Sequence, residues 1–366
     1  MTNKEKEILD IIRNDPTIEQ SEIARRLNIS RSTVAVHISS LQKQGYLLGK
    51  GYILSKEDYV VGIGACNVDV YGKAQIPIRT HYDHPADIRS SVGGVMRNII
   101  CNYTLLGGNG RLITAYGSDS YGKTILEDCQ HNGIDLKDSL YVEGASSGIF
   151  LQVQDENNDM YLALCDMSIL EHLTPDHILQ HERTIVNARL VIIDPSLKEE
   201  TIEEILRICK DRVPVCLDPI SDNYALKMRP YVGNFALIKP NLHELENLSG
   251  KKIASLKDQE EACEILLEQG TEKIVVSLGK EGVLYMDRTR RIRKKFPEEK
   301  HMVNASGAGD ALMAALVYGE VNGLSIEETL EYGLAAGIAA IRSSSTINEK
   351  MSIELLKEII KEKKKK

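Results

Sequence analysis

The chain opens with three apolar clusters at helical spacing, separated by polar breaks. The clusters are Ile8, Leu9, Ile11 and Ile12, then Ile18, Ile23, Ala24 and Leu27, then Val34, Val36, Ile38 and Leu41. Each cluster predicts a short amphipathic helix. Ser30 or Ser32 is the predicted N-cap of the third helix. After Gly45, residues 46–54 predict a hairpin with a glycine-containing turn.

The pattern changes after residue 57, where short continuous apolar runs alternate with helical stretches. The predicted strands cover residues 59–64, 190–194, 213–218, 235–239 and 273–277. Helical patterns such as 200–211 and 259–269 lie between them. This alternation predicts an α/β fold with a parallel sheet and helices on both faces. In such sheets, ligands bind beyond the carboxyl ends of the strands.

Length and composition fit a two-domain globular protein. The 366 residues are 42% hydrophobic, enough for a small domain over residues 1–57 and a large one over 58–366. There is no apolar run of eighteen residues and no signal-peptide pattern at the N-terminus. The seven cysteines are dispersed, without metal-binding spacing. We therefore expect reduced thiols and a cytoplasmic location.

Charge differs between the two predicted domains. The net charge of −8 argues against nucleic-acid binding by the whole chain. Residues 1–57, however, hold nine Lys/Arg and seven Asp/Glu, whereas the remainder holds 36 and 46. The contrast is modest, but it is consistent with different partners for the two parts.

Three short helices followed by a hairpin make a winged helix-turn-helix. Residues 1–57 resemble the N-terminal domains of AsnC/MarR-like bacterial regulators. The resemblance implies that the helix over residues 32–44 enters a DNA major groove. The residues expected at DNA are Arg31, Ser32, Thr33, His37 and, on the wing, Lys50. A structural appendage or a dimerisation module is the alternative interpretation.

The sequence NASGAGD at residues 304–310 precedes a small, apolar, helix-forming run. Free main-chain N–H groups at a helix start bind anions, and glycines let a phosphate approach the backbone. Asp310, beside such a turn, can accept a proton from an attacking hydroxyl. Because helix starts stabilise anions, we expect a low proton affinity for Asp310. The alternative is an ordinary helix start in which Asp310 serves only the helix dipole.

Four more motifs precede this one in the chain. They are GACNVD at 64–69, GGVMRN at 93–98, GSDSYG at 117–122 and KPNLHE at 239–244. Taken in order over roughly residues 58–360, the five motifs resemble those of the PfkB/ribokinase carbohydrate kinases. The resemblance implies a ribokinase-like three-layer αβα domain with a small β lid, ATP as phosphoryl donor and Mg²⁺ as cofactor.

Within this family the chain resembles the pseudouridine kinase branch. The signals are GVMRN at 94–98, CDM at 165–167 followed by LTP at 173–175, DPIS at 218–221, and Asn304. The branch implies phosphorylation of the 5′-hydroxyl of pseudouridine. Two alternatives remain open. One is another ribonucleoside or sugar kinase, for example for inosine or ribose. The other is a sugar-responsive transcriptional regulator.

The resemblance also implies site residues. Substrate would be bound by Asn67, Asp69, Gly93, Gly94, Arg97, Asn98 and Asp166. Asp310 would be the base, beside an anion hole over Gly307, Ala308 and Gly309. Asn241 and Glu244 would orient Mg²⁺. The nucleotide would contact Asn241, Ser277, Gly279, Gly282, Ser343 and Asn348. Alternatives are a strand-end turn for Asn67 and Asp69, a surface role for Arg97, and an N-cap with an acidic first turn for Asn241 and Glu244.

Three further expectations concern the lid, the cations and the C-terminus. Segments 71–91 and 148–165 are the implied lid, which in the family is often shared across a dimer, so we expect a homodimer. Many relatives have Asp and Thr where this chain has Asn304 and Ser306, which makes potassium activation doubtful. Residues 363–366 are expected to fray.

Overall fold

The computed structural model describes residues 2–47, 58–157, 159–299, 301–304 and 306–365. The chain divides into two compact units, Met1–Glu57 and Asp58–Lys366. Among the described helices, none has both the length and the apolarity that crossing a lipid bilayer requires.

The described part of the first unit consists of three helices around a small apolar core. They are α1 (Asn3–Asn14), α2 (Gln20–Leu27) and α3 (Arg31–Lys43). Their predicted apolar positions, including Ile8, Ile23 and Leu41, form this core. The turn between α2 and α3 passes through Asn28 in the left-handed conformation, which asparagine tolerates. Most of the predicted hairpin over residues 46–54, with Lys50, lies outside the described residues.

Ser30, not Ser32, caps α3: its Oγ accepts the Thr33 N–H at 3.0 Å. This bond satisfies a main-chain donor of the first turn that has no partner inside the helix.

The second unit contains fourteen strands among its described residues. They are β1 (Val60–Ile63), β2 (Asn67–Ala74), β3 (Ala86–Gly93), β4 (Gly110–Ile113), β5 (Ala115–Gly117), β6 (Leu140–Val142), β7 (Gly148–Gln154), β8 (Met160–Asp166), β9 (Leu190–Ile193), β10 (Val215–Leu217), β11 (Leu237–Ile238), β12 (Lys273–Ser277), β13 (Val283–Asp287) and β14 (Arg291–Lys294).

Its helices are α4 (Val95–Leu105), α5 (Ser120–His131), α6 (Pro175–Gln180), α7 (Glu182–Asn187), α8 (Glu199–Cys209), α9 (Asp222–Met228), α10 (Leu242–Ser249), α11 (Leu256–Glu268), α12 (Ala308–Val321), α13 (Ile326–Ile341) and α14 (Ile353–Lys364). Short 3-10 helices cover Ser168–His172, Arg229–Asn234 and Gly279–Glu281.

An eight-stranded sheet forms the middle layer, in the order β14-β13-β12-β11-β10-β9-β1-β4. The strands from β12 to β4 are parallel, and β13 and β14 add antiparallel pairs at one edge. Alternate residues of β9 enter two different cores, Val191 one and Ile192 the other. The sheet is therefore covered on both faces, which is why its strands read as continuous apolar runs.

A second, four-stranded sheet has the order β3-β2-β7-β8. It comprises the segments predicted as a lid. The β7–β8 turn contains Asp155, whose carboxylate accepts the N–H groups of Asn157 and Asp159.

The expectation of a frayed C-terminus is wrong for Lys363. Its side chain is fully buried in α14, pairs with Glu299 at 3.1 Å and donates to the Pro297 carbonyl at 2.9 Å. A buried lysine needs such partners because an unpaired ammonium is costly to remove from water. These contacts hold the segment before residues 304–310 against the last helix.

Candidate active site

A buried carboxylate holds the loop that follows β1. Asp194, directly after β9, accepts the Ala65 N–H at 2.8 Å. Gly64 has a φ of 156°, and a Cβ there would lie 2.1 Å from Asp194 Oδ2. Only glycine allows this approach. These contacts fix the position of the loop and therefore the position of Asn67, where β2 begins.

Asn67 and Asp69 lie at the start of β2 and form a polar pair. The Asn67 amide donates to Asp69 Oδ1 at 2.7 Å, and the Tyr71 hydroxyl donates to Oδ2 at 3.3 Å. Burial raises the pKa of Asp69. A Cβ on Gly93, which pairs with Asn67 in β3, would lie 2.2 Å from Asp69 Oδ2. Together the pair offers donors and acceptors suited to neighbouring sugar hydroxyls.

Asn98 contacts the predicted base directly. Gly94 is the N-cap of α4, and Asn98 lies one turn later with its side chain buried. Its amide donates to Asp310 Oδ2 at 2.9 Å. The contact brings together two residues separated by 212 positions.

The expected low proton affinity of Asp310 is wrong. Burial, and then the nearby Asp218 carboxylate, raise the pKa of Asp310 to about 7, although Asn98 and Lys239 act in the opposite direction. The favourable helix start is worth at most about 2 kcal/mol. Desolvation of a carboxylate is the larger effect here.

The predicted anion hole lies at the start of α12. Its N-cap, Gly307, has a φ of 79°, and a Cβ there would lie 2.3 Å from the Thr346 carbonyl oxygen. Ala311 N–H bonds back to the Gly307 carbonyl at 2.9 Å. The N–H groups of Ala308, Gly309 and Asp310 therefore have no acceptor inside the helix and are placed to bind an anion.

A buried ion pair lies beneath these amides and was not among the predicted site residues. Asp218 follows β10 and Lys239 follows β11, with Nζ and Oδ2 3.1 Å apart. A Cβ on Gly309 would lie 3.3 Å from Lys239 Nζ. Burial opposes the charge of Lys239, but Asp218 and Glu244 outweigh it and raise its pKa. Each residue is the first polar one after an apolar strand, a signal that identifies both from sequence.

Asn241 and Glu244 form a capping box at the start of α10. Asn241 Oδ1 accepts the Glu244 N–H at 2.9 Å, and Glu244 Oε2 accepts the Asn241 N–H at 2.8 Å. The alternative interpretation as an N-cap with an acidic first turn is therefore realised. It leaves Glu244 Oε1 outside the capping bonds. Among the described residues, no three acidic, His or Cys side chains cluster as a metal site.

The predicted nucleotide contacts are only partly brought together. Ser277 forms a parallel bridge with Asn241. The loop with Ser343 contacts the anion hole through Thr346, and the Asn348 amide donates to the Ala339 carbonyl at 2.7 Å. Gly279 and Gly282 have positive φ and form the turn between β12 and β13.

Asp166 is not on the face of the four-stranded sheet that carries Asp69. The register aligns Asp69 with Phe150 and Phe150 with Cys165, so Cys165 shares the face of Asp69. Asp166, at the end of β8, accepts the Ser168 N–H at 3.0 Å. The expected substrate contact of Asp166 is therefore not supported by this arrangement.

Arg97 is buried and does not lie on the surface. Its side chain pairs with Asp128 of α5 and donates to Asn98 Oδ1 at 3.1 Å. The structure thus contradicts the surface alternative and shows the guanidinium engaged by Asp128 and Asn98.

In the first unit, α3 exposes the predicted DNA-facing residues. Arg31, Ser32 and Thr33 are exposed, and His37 is partly exposed. No acidic side chain occurs in α3. This face therefore has no carboxylate of its own to repel phosphate.

Family comparison agrees with these two units. A pfkB family carbohydrate kinase model matches residues 57–353, and a winged helix-turn-helix DNA-binding model matches residues 1–47. The chain belongs to the pfkB family of carbohydrate kinases. The predicted ribokinase-like α/β fold and the winged helix-turn-helix are confirmed, and this pfkB kinase is a phosphotransferase for an alcohol group of a sugar or nucleoside.

Individual relatives cover most of both chains. The uncharacterized sugar kinase YeiI of Escherichia coli is 34% identical over 97% of this kinase and 98% of its own length. The pseudouridine kinase of Escherichia coli is 31% identical over 82% and 96%. The crystal structure of a putative sugar kinase from Clostridium perfringens is 31% identical, covers 84% and 96%, and superposes with a TM-score of 0.76.

The raised pKa of Asp310 predicts a pH-dependent stability difference for Asp310→Asn. An aspartate titrates near 3.9 in an unfolded chain, and Asp310 titrates at about 7 in the folded one. As the pH rises from 4 through 7, ionisation of Asp310 therefore lowers the free energy of unfolding of the wild type relative to that of the variant. We expect the variant to be more stable by about 1–3 kcal/mol at pH 8, and by little at pH 4.

Melting temperatures across this pH range measure the difference. Asp83→Asn, which removes a carboxylate from an exposed loop, is the control and should show no such pH trend. A constant difference between Asp310→Asn and wild type from pH 4 to 8 would contradict the raised pKa.

Proposed function

We propose that this kinase transfers the γ-phosphoryl group of ATP to the 5′-hydroxyl of pseudouridine. The observation that carries the proposal is the contact of Asn98 with Asp310, because it brings a residue of the proposed sugar site to a carboxylate in the first turn of α12. The Asp69 carboxylate also lies near enough to raise the pKa of Asp310. The resemblance to the pseudouridine kinase of Escherichia coli supports the choice of nucleoside.

Asn67, Asp69 and Asn98 hold the ribose. Their side chains lie at the start of β2 and in α4, where Gly93 and Gly94 let the backbone pack closely against Asp69 and Ala65. Hydroxyls bound here in a fixed orientation present the 5′-oxygen to Asp310, which removes much of the entropic cost of the reaction.

Asp310 accepts the proton of the attacking hydroxyl. A base with a pKa near the working pH combines a useful deprotonated fraction with a useful proton affinity. The phosphoryl group in transfer meets the N–H groups of Ala308, Gly309 and Asp310. Lys239, held beneath Gly309 by Asp218, adds positive charge where negative charge spreads over the phosphoryl oxygens.

Asn241 and Glu244 fit a hydrated magnesium ion better than a directly bound one. The capping box commits one oxygen of each residue, and Glu244 Oε1 is the remaining carboxylate oxygen. Magnesium in kinases keeps several waters and is held mostly by nucleotide phosphates. When bound, the ion neutralises charge on those phosphates. On the nucleotide side, we propose that Ser277, Gly279, Gly282 and the loop from Ser343 to Asn348 line the ATP site.

A substrate panel tests the proposed activity. Pseudouridine, uridine, inosine, ribose and fructose are compared at saturating ATP and Mg²⁺, with ADP release and the mass of the product as readouts. Pseudouridine differs from uridine in having a free N1–H, which a polar site can recognise. We expect kcat/KM for pseudouridine to exceed that for uridine by at least about tenfold. Faster reaction of ribose or inosine would contradict the substrate assignment.

Asp310→Asn is the matched variant in the same assay. It should lower kcat by at least about a hundredfold, the usual contribution of a general base, while nucleoside binding by calorimetry stays within a few-fold. Near-normal turnover would remove Asp310 from the mechanism.

We also propose that the lid sheet forms a homodimer contact. The face of the sheet opposite Asp69 carries a row of paired positions, Ile88, Gly72, Val153 and Leu162, followed by Leu164. Ile88, Leu162 and Leu164 are 71%, 46% and 55% exposed. Adjacent exposed apolar side chains are typical of a protein interface.

Leu164→Asp should convert the dimer to a monomer, because a buried unpaired carboxylate opposes association. Sedimentation velocity measures the change. Leu256→Asp, at an exposed position in the first turn of α11, is the control and should leave the mass unaltered. A wild-type monomer at micromolar concentration would rule out this interface.

We propose that residues 1–57 bind DNA through α3. Arg31, Ser32 and Thr33 are exposed in its first turn, the part of a recognition helix that meets bases. Lys50 on the predicted wing is proposed to contact phosphate.

DNA binding is tested with the full chain on DNA from upstream of its own operon. We expect Arg31→Ala to weaken binding about five- to fiftyfold and affinity to fall as salt rises. Lys4→Ala, which removes one exposed positive charge from α1, is the control with a smaller effect. Equal affinity of the intact chain and a chain lacking residues 1–57 at low salt would exclude this role.

A further inference from the structure

Arg97 is a buried cation close to the reaction site whose role the mechanism above leaves open. Its side chain is only 4% exposed. The residue lies in the first turn of α4, the helix that also carries Asn98. Arginine is rarely buried this deeply unless it is paired. Its position therefore calls for a role specific to its contacts.

The guanidinium makes contacts on three sides. It pairs with the Asp128 carboxylate of α5, which is 28% exposed. Its Nη1 donates to Asn98 Oδ1 at 3.1 Å and faces the Val92 carbonyl at 3.4 Å. The planar fork thus connects α5 to the Asn98 amide.

These contacts determine which way the Asn98 amide faces. A guanidinium has only donors, so the amide oxygen must turn towards it. The amide nitrogen then faces Asp310, to which it donates at 2.9 Å. Without Arg97, the amide can rotate and present its oxygen to the Asp310 carboxylate.

We propose that Arg97, anchored by Asp128, is a positioning residue that acts through Asn98 to hold Asp310 ready as the base. The catalytic part of this inference rests on the proposed function. Lysine cannot replace Arg97, because a point charge does not provide the planar fork that reaches both partners.

If Arg97 positions the Asn98 amide, removing Arg97 should change the pKa of Asp310. The charged groups facing Asp310 are Asp218 after β10, Lys239 after β11 and Asp69 in β2. Asn98 supplies the hydrogen bond that favours the ionised form. Removing Arg97 frees the amide, so Asp310 should ionise at higher pH.

Arg97→Met is the first variant, and Arg97→Met with Asp128→Asn is the second, because the second leaves no unpaired carboxylate. For whichever alcohol the enzyme phosphorylates, we expect the acidic limb of kcat/KM against pH to move up by roughly half to one unit. We also expect kcat at pH 7 to fall about tenfold.

Arg111→Met is the matched control. Arg111 pairs with Asp135 and stacks on Tyr59, and its loss should leave the pH profile unchanged.

A double-mutant cycle with Asn98→Ala separates positioning from direct action. If Arg97 acts through Asn98, adding Arg97→Met to Asn98→Ala changes the profile no further. Additive effects would overturn the proposal.

A readout without catalysis keeps this test apart from the proposed function. The difference in melting temperature between Asp310 and Asp310→Asn proteins is followed against pH in the wild-type and Arg97→Met/Asp128→Asn backgrounds. The midpoint should move upward in the second background. An unchanged midpoint would overturn the positioning role, whereas failure to phosphorylate any alcohol would overturn only the proposed activity.

Discussion

This site is dominated by charged side chains that are buried at the carboxyl ends of the parallel strands. Asp194, Asp218 and Lys239 directly follow β9, β10 and β11, and all three are buried. Neighbouring buried carboxylates disfavour each other's ionisation, and the lysine offsets part of that effect. Asp310 enters this group from the start of α12, and its proton affinity depends on Asp218 and Lys239.

The second requirement is that the main chain approaches other segments closely at three glycines. Gly64, Gly93 and Gly307 each lie so near an oxygen atom of another segment that a Cβ would overlap it. The atoms they approach belong to Asp194, Asp69 and Thr346, respectively. Such close packing fixes the main chain around Asn67, Asp69 and Asp310.

Much of the fold was predictable from local pattern, because strands buried on both faces and amphipathic helices leave distinct periodicities. The strands at 59–64 and 190–194 appear as β1 and β9, with ends shifted by about a residue. The expectation of a frayed terminus was wrong for Lys363, because in sequence this residue resembles its exposed neighbours. Its burial depends on contacts with Glu299 and the Pro297 carbonyl, 64 and 66 positions earlier.

Residue types and their spacing along the chain were enough to predict the two-part organisation, the family motifs and the candidate base. The environment of those residues came only from the folded structure. It raised the pKa of Asp310 where the helix start alone predicted the reverse. It also placed the Arg97 side chain against Asp128 and Asn98. Burial and charge pairing arise between distant segments, so local pattern carries no record of them.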